Sequence, residues 1–194
     1  MVSSAGIKDA HSMEGGIKAW SGDVATGAPE AGMSIFSQAD RAEDLVALAW
    51  VLEEGSRRFY AGVAEMLDDT QGTNMFNDLV AAEEHHKESL VRVYKELAGS
   101  GSEPGLPNTI ASDELAGDLM EGGIRVGEAL AWAKGKGAVE LLDLSMSLEI
   151  NAYDLYVKMA RRMENEDVGK VLKNIAEEER KHLERLGDLL EKRI

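Results

Sequence analysis

The chain carries two copies of one polar motif at a constant distance along the sequence. Glu53 is followed seven residues later by Tyr60, and Glu83 is followed three residues later by His86. The same residue types recur 96 positions further on, at Glu149, Tyr156, Glu179 and His182. Repetition of this kind is most simply explained by two equivalent structural units.

Each glutamate of the motif interrupts an apolar stripe near its middle. Around Glu53, for example, the apolar residues Val46 and Ala49 precede it and Val63 follows it at the spacing of an α-helix. The other three stripes have the same form, so the pattern predicts four amphipathic helices. We place these helices at roughly 38–69, 73–98, 137–164 and 167–193.

The connections between the predicted helices are short, long and short. The breaks near 71–73 and 165–166 are brief, whereas a glycine- and proline-containing loop at 99–107 precedes a shorter helix predicted near 112–132. This order is typical of two helical hairpins joined by a crossover connection. We therefore expect an all-α four-helix bundle over residues 37–194.

The chemistry of the stripes points to bound cations. A buried carboxylate costs several kcal/mol or moves its pKa towards the neutral form, and four of them in one core also repel one another. Two divalent ions would neutralise them. Residues at i and i+3 share a helix face, so each Glu-x2-His pair can serve one ion, and the glutamates of the partner helices complete or bridge the pair. The predicted ligands are Glu53, Glu83, His86, Glu149, Glu179 and His182.

The ligand types favour two iron ions, with manganese or zinc as alternatives. The chain has no cysteine, which excludes thiolate zinc sites and iron–sulfur clusters built from its own residues. Tyr60 and Tyr156, the candidate catalytic residues, lie about 10 Å along the helix from their glutamates. Each could donate a hydrogen bond to a ligand carboxylate of a neighbouring helix; packing in the core is the competing interpretation.

The neighbours of the ligands are interpreted as ordinary surface or packing residues. His85 should face solvent, and Trp50 and Met146 should be packing residues rather than redox participants. The flanking acids are expected to be surface charges, with partnership to a ligand as the alternative for one of them: Glu54, Glu84, Glu177 and Glu178.

Composition limits the partners and the location. The formal net charge is −15, which disfavours a nucleic-acid partner because such surfaces are normally basic. No stretch approaches the roughly 20 apolar residues of a membrane span, and no basic segment followed by an apolar run opens the chain. A cytoplasmic protein without a membrane partner is expected.

The motifs resemble those of the ferritin-like superfamily, and most closely its rubrerythrin-like branch. Segments 52–60 and 148–156 are similar to its first and third helices, and 79–86 and 175–182 to its second and fourth. The resemblance covers about 38–194. It implies a ferritin-like bundle with a di-iron centre that reacts with peroxide or dioxygen, an external electron donor and a homodimer.

Two departures from rubrerythrins accompany this resemblance. The cysteine-ligated rubredoxin domain is absent, and Ala152 stands where rubrerythrins carry an extra carboxylate. The six-ligand set is thus more similar to that of bacterioferritin.

The first 36 residues have a different character, rich in glycine and small side chains. Residues 6–22, with the pattern Glu14-Gly15-Gly16 followed by Trp20, resemble the C-terminal end of a rhodanese domain. The nucleophilic cysteine loop of that family is missing, so sulfurtransferase activity is not expected. A glycine-rich linker is the alternative interpretation of 1–36.

Three functions remain open at this level. The first is a non-haem di-iron oxidoreductase that reduces peroxide or oxidises ferrous iron. The second is an iron-binding or storage protein. The third is a structural metal-binding bundle without turnover.

Overall fold

The computed structural model describes residues 41–98 and 118–193, and these form an all-α, ferritin-like four-helix bundle. Four long helices pair as two hairpins, the first with the second and the third with the fourth. A short strand pair and a short helix precede the second hairpin. The elements are α1 (Ala42–Met66), α2 (Thr70–Ala98), β1 (Leu119–Met120), β2 (Ile124–Arg125), α3 (Val126–Ala133), α4 (Ala138–Arg162) and α5 (Glu166–Glu191). The predicted fold class is confirmed.

Side-chain caps fix the starts of the second and last long helices. The Asp69 carboxylate accepts a hydrogen bond from the backbone N–H of Gly72 at 2.7 Å, so α2 begins at Thr70 rather than near 73. Asn165 accepts from the backbone N–H groups of Asp167 and Val168 at 2.9 and 3.2 Å. Such caps satisfy the N–H groups that the first helical turn leaves without partners.

The helix predicted near 112–132 is wrong in its first part. Residues 119–125 form an antiparallel strand pair around a single 3-10 turn, Glu121–Gly123, and helix α3 begins only at Val126. Gly122 and Gly123 have φ values of 74° and 71°. Because side chains disfavour this left-handed region, the two glycines allow the tight turn and end any helix there. Residues 112–117 lie outside the described part of the chain.

The apolar core is divided into two clusters along the bundle. One surrounds Leu52 and Leu172, and the other surrounds Phe59 and Phe76. On all four long helices, the glutamates and histidines of the motif lie in sequence between residues of the two clusters, whereas Tyr156 belongs to the first cluster and Tyr60 to the second. The interior therefore supplies an apolar wall on both sides of the polar layer that they form.

Close backbone packing attaches the strand pair to α1. An ideal Cβ placed on Gly55 would lie 2.0 Å from the carbonyl oxygen of Leu119. Replacing Gly55 by alanine must therefore move β1 away from α1, which we expect to cost about 3 kcal/mol or more in the free energy of unfolding. Urea or thermal unfolding would measure the loss.

Gly187 provides the control for this substitution. It lies in α5, and an ideal Cβ there meets nothing within 4 Å. Gly187→Ala should leave stability unchanged or raise it by up to about 1 kcal/mol, since alanine favours helix more than glycine. Equal effects of the two substitutions would contradict the packing argument.

Two sequence-based expectations concern parts of the chain that are not described. The boundary near residue 36 and the rhodanese resemblance of residues 6–22 both fall outside 41–98 and 118–193. Within those two ranges, no helix has the length and apolar character needed to cross a lipid bilayer.

Candidate metal centre

The six predicted ligands converge in the interior of the bundle. Glu53 comes from α1, Glu149 from α4, and one Glu-x2-His pair each from α2 and α5. All four glutamates and His86 are 0% exposed, and His182 is 8% exposed. Four helices thus direct carboxylates and imidazoles into one buried layer between the two apolar clusters.

The first group of ligand atoms centres on His86. One ligand atom from each of four residues lies within 4.8 Å of the others, and the group comprises Glu53, Glu83, His86 and Glu179. The Nδ1 atom of His86 is 2.9 Å from Glu179 Oε1 and 3.3 Å from Glu53 Oε2. Glu83 Oε2 lies 3.6 Å from the same nitrogen. This mixed oxygen and nitrogen cluster has the size of a single-ion site.

The second group centres on His182 and shares Glu179 with the first. His182 Nδ1 lies 3.3 Å from Glu149 Oε2 and 3.3 Å from Glu179 Oε2. The two imidazole rings are 5.8 Å apart between centroids. Glu179 presents one carboxylate oxygen to each histidine, so it is the residue that belongs to both groups. The sequence had suggested such bridging for Glu53 and Glu149.

Several carboxylate oxygens of this layer lack hydrogen-bond donors. Within the described residues, neither oxygen of Glu83 accepts a hydrogen bond. Glu149 Oε2 and Glu179 Oε1 also accept no well-directed hydrogen bond, although His182 Nδ1 and His86 Nδ1 lie 3.3 and 2.9 Å away. Burying a carboxylate oxygen without a partner is unfavourable. Metal ions at the two groups would supply the missing partners, so these residues fit a two-metal site.

The pKa values of the glutamates also show that burial and mutual repulsion oppose the charged carboxylates. Burial, reinforced by the charge of Glu53, raises the pKa of Glu83 well above its ordinary value. Burial and the charge of Glu179 raise the pKa of Glu149 from 4.5 to about 8. Burial opposes ionisation of Glu179 as well, but the charge of His86 and the close contacts with both histidines outweigh it and lower the pKa of Glu179.

The histidines supply positive charge when metal is absent. Burial would lower the pKa of both rings, but the carboxylates overcome it. Glu179 and Glu53 raise the pKa of His86 well above its usual value, and Glu149 and Glu179 raise that of His182 to about 9. Protonated imidazoles therefore take the place that metal cations would occupy. Metal binding must displace these protons.

The two tyrosines donate to ligand carboxylates of the opposite hairpin. The Tyr60 hydroxyl donates to Glu149 Oε1 at 2.6 Å, and the Tyr156 hydroxyl donates to Glu53 Oε1. Burial and the adjacent carboxylate charges raise the pKa of both phenols, which keeps them protonated as donors. The predicted hydrogen bonds are present, and both rings are also fully buried in the core.

Removing the Tyr60 hydroxyl should weaken metal binding without disturbing the core. Phenylalanine keeps the ring that packs 6.0 Å from Phe76 but leaves Glu149 Oε1 without its donor. We expect Tyr60→Phe to lower the affinity for Mn²⁺ about 10- to 100-fold, as is typical for partners that orient ligands. Anaerobic calorimetric titration would measure it.

Tyr153→Phe is the matched control, because Tyr153 lies on α4 and is 40% exposed. It should bind Mn²⁺ as the wild type does. Equal affinities for all three proteins would show that the Tyr60 hydroxyl does not support the ligand.

Glu178 is the flanking acid that contacts a ligand. Its Oε2 atom lies 2.9 Å from His86 Nε2, and its side chain is 40% exposed. A donor hydrogen on Nε2 leaves Nδ1 free to face the first group of ligands. For Glu178 the alternative to a surface charge therefore applies, because this acid contacts a ligand.

The other flanking residues lie outside the ligand layer. Glu54 and Glu84 both accept hydrogen bonds from Lys87, whose ammonium group also lies 5.0 Å from the centre of the Trp50 ring. His85 is exposed.

Sequence reasoning missed one buried acid near the centre. Glu121, in the turn between β1 and β2, is 1% exposed, and its Oε2 atom accepts a hydrogen bond from Ser56 Oγ at 2.8 Å. It lies in no helical stripe, so periodicity could not reveal it. The only signal was an acid directly before the Gly122-Gly123 pair.

Comparison with known proteins agrees with this picture for the second hairpin. Residues 140–193 match the family model described as rubrerythrin, which supports a relationship to ferritin-like di-iron proteins. No curated protein sequence gives a significant match. A solved structure of a hypothetical protein from Pyrococcus furiosus is similar with a TM-score of 0.60 and 20% identity, covering 78% of this chain and 89% of that one. At this identity the likeness concerns the fold alone.

Proposed function

We propose that the chain is a non-haem di-iron oxidoreductase that reacts with peroxide or dioxygen, reducing peroxide or oxidising ferrous iron. The observation that carries the proposal is the pair of buried ligand groups joined by Glu179. When bound, two ferrous ions can give one electron each, and with two protons they convert one hydrogen peroxide to two water molecules.

The ligand set suits a metal that changes charge. Carboxylate oxygens with imidazole nitrogens are typical ligands of iron and manganese. Four ligand carboxylates carry about four negative charges, which balance two divalent ions without a net charge in the core. Zinc would fit the same atoms but would supply no electrons.

The chain's own groups provide protons and a dry environment. Tyr60 and Tyr156 hold protons at hydroxyls that touch ligand carboxylates. Glu178, partly exposed, connects His86 Nε2 with the surface and offers a path for protons. The two apolar clusters exclude water from the remaining sides. Repeated turnover requires an external electron donor, which this proposal includes.

The proposal can be tested by anaerobic loading with two equivalents of Fe²⁺ followed by one equivalent of hydrogen peroxide. The wild type should oxidise both ions with consumption of the peroxide. Glu53→Gln and Glu149→Gln each remove one buried carboxylate and should slow peroxide consumption by a factor of about 100 or more. Asp154→Asn removes a charge from an exposed position of α4 and should react like the wild type.

Two outcomes would contradict the assignment. Glutamine variants with wild-type iron content and wild-type rate would show that the ligand layer is not the reactive centre. A wild type that binds metal but stays spectroscopically silent after peroxide addition would indicate a structural metal bundle. Solution mass separates the remaining alternative, since storage requires a large closed shell whereas the proposed enzyme is a homodimer.

A further inference from the structure

We propose that Glu121 is a fifth carboxylate, and thus a seventh ligand, of the metal centre and that its Oε1 atom binds the metal pair in the oxidised state. The inference rests on the proposed function, because it requires a metal pair that changes charge. It concerns a residue outside the repeated motif, brought in by the connection between the hairpins.

One side of the turn is held against α1 at the level of the ligands. The carbonyl of Leu119 approaches so closely that only glycine fits at position 55. At the next position, Ser56 Oγ donates to Glu121 Oε2 at 2.8 Å and accepts from the Glu121 backbone N–H at 3.4 Å. Ser56 lies three residues after Glu53 and therefore on the same helix face. The contact fixes the Glu121 carboxylate beside the helical turn that carries a ligand.

The other side of the turn is held against α4. An ideal Cβ on Gly122 would lie 2.8 Å from the side-chain nitrogen of Asn151, which is two residues after Glu149. Gly122 also has a φ of 74°, so a side chain there is disfavoured twice. The turn that carries Glu121 thus contacts the two helices that each contribute a single ligand, Glu53 from α1 and Glu149 from α4.

The two carboxyl oxygens of Glu121 differ in their contacts, since Oε2 accepts a hydrogen bond and Oε1 does not. The residue is 1% exposed, and Oε1 has no hydrogen-bond partner among the described residues. Burial and the charges of Glu53, Glu179 and Glu149 raise the pKa of Glu121 well above its ordinary value, which shows how strongly it senses the ligand layer. A contact with Ser56 alone would explain Oε2 but not a second oxygen buried without a partner.

Charge balance indicates that Glu121 Oε1 binds when both metal ions are oxidised. The four ligand carboxylates already balance two divalent ions. Two trivalent ions carry two further positive charges, and a Glu121 carboxylate supplies one of the missing negative charges. Glu121 should therefore stabilise the trivalent pair more than the divalent pair.

The substitution E121Q tests the inference with a readout other than turnover. Glutamine keeps an oxygen for the Ser56 hydrogen bond but removes the charge. E121Q should still take up two ferrous ions, while its preference for the trivalent over the divalent state should fall about tenfold or more. That change corresponds to a rise of about 59 mV in a one-electron midpoint potential. Redox titration of the iron-loaded protein, followed by visible absorption, would measure it.

Two further variants separate ligation from a nearby charge. E121D keeps the charge but withdraws the carboxylate by one methylene, so it should raise the potential if Oε1 binds metal and leave it unchanged if Glu121 acts only at a distance. E128Q removes the same charge from an exposed position of α3 and should have the wild-type potential.

The possible results distinguish failure of the proposed function from failure of the role proposed for Glu121. Wild-type protein that binds no iron would overturn the proposed function itself. Iron-loaded wild type and E121Q with the same potential and the same spectrum would overturn the role of Glu121 and leave the proposed function intact. Should E121Q not fold, E121D with the wild-type potential would overturn the role, and E121D with a raised potential would support it.

Discussion

Replacing Glu179 by glutamine is expected to weaken both metal positions at once, by about 100-fold or more each. Glu179 is the residue that belongs to both ligand groups, with Oε1 2.9 Å from His86 Nδ1 and Oε2 3.3 Å from His182 Nδ1. The substitution removes the charge that both groups share but keeps the shape of the side chain. Loss of a direct ligand should exceed the roughly 10- to 100-fold effect of an outer partner.

Calorimetric titration with Mn²⁺ under anaerobic conditions, with elemental analysis of the dialysed protein, would measure the loss. Glu149→Gln should weaken chiefly the group around His182, since Glu149 belongs to that group alone. Glu177→Gln is the control, because Glu177 lies two residues away on an exposed face of α5. Two tightly bound ions in Glu179→Gln would show that the carboxylate is not shared.

The metal-free protein is expected to lose several kcal/mol of stability as the pH rises from about 5 to about 9. The folded-state pKa of Glu149 is raised from 4.5 to about 8, so its contribution is complete below 4.5 and is lost as the pH rises through about 8. His182, raised from 6.5 to about 9, loses its contribution as the pH rises through about 9. Each pKa unit corresponds to about 1.4 kcal/mol.

The lowered pKa of Glu179 does not change the dependence of stability on pH between about 5 and about 9. A depressed carboxyl pKa contributes stability above its unfolded value of 4.5 and loses it only at more acidic pH. Between pH 5 and 9 the contribution of Glu179 is therefore constant. The slope in this range belongs to the groups whose pKa values are raised.

Bound metal should reverse the trend. Because the metal replaces protons on the carboxylates and imidazoles, its affinity rises with pH, and so does the stability that binding adds. Melting temperatures measured at several pH values between 5 and 9, once with a chelator and once with excess Mn²⁺, should diverge as the pH increases. Parallel profiles would mean that the buried acids and histidines do not take up metal. Glu149→Gln with chelator should show a smaller decline than the wild type.

The long helices and their inward glutamates could be predicted because helical geometry is local. Residues at three- and four-residue spacing must share a face, so an apolar stripe through Glu53 or Glu179 fixes the direction of that side chain. The repeat then related the two hairpins. The family comparison supports only the second of them, since it covers 140–193.

Features at the edges of the stripes could not be predicted in the same way. Glu178 lies beside Glu179, and a small rotation of α5 decides whether it faces solvent or His86. Apolar residues such as Leu119, Met120 and Leu130 allowed a helical interpretation of the connection, but Gly122 and Gly123 adopt left-handed backbone angles that stop it. The position of Glu121 depends on contacts with α1 and α4, which are distant in sequence. Such contacts produce no periodic pattern in the sequence.

The turn that carries Glu121 makes the two halves of the bundle unequal. The offset of 96 relates Gly55 and Ser56 on α1 to Asn151 and Ala152 on α4. The turn contacts the first pair through a tight backbone approach and a hydrogen bond, and it meets Asn151 through Gly122. A single Glu121 cannot serve both halves alike, so the two ion positions should fill in sequence rather than together. Limited metal supply would then yield singly occupied or mixed-metal protein. The unequal contacts of Glu121 would determine which position is filled first.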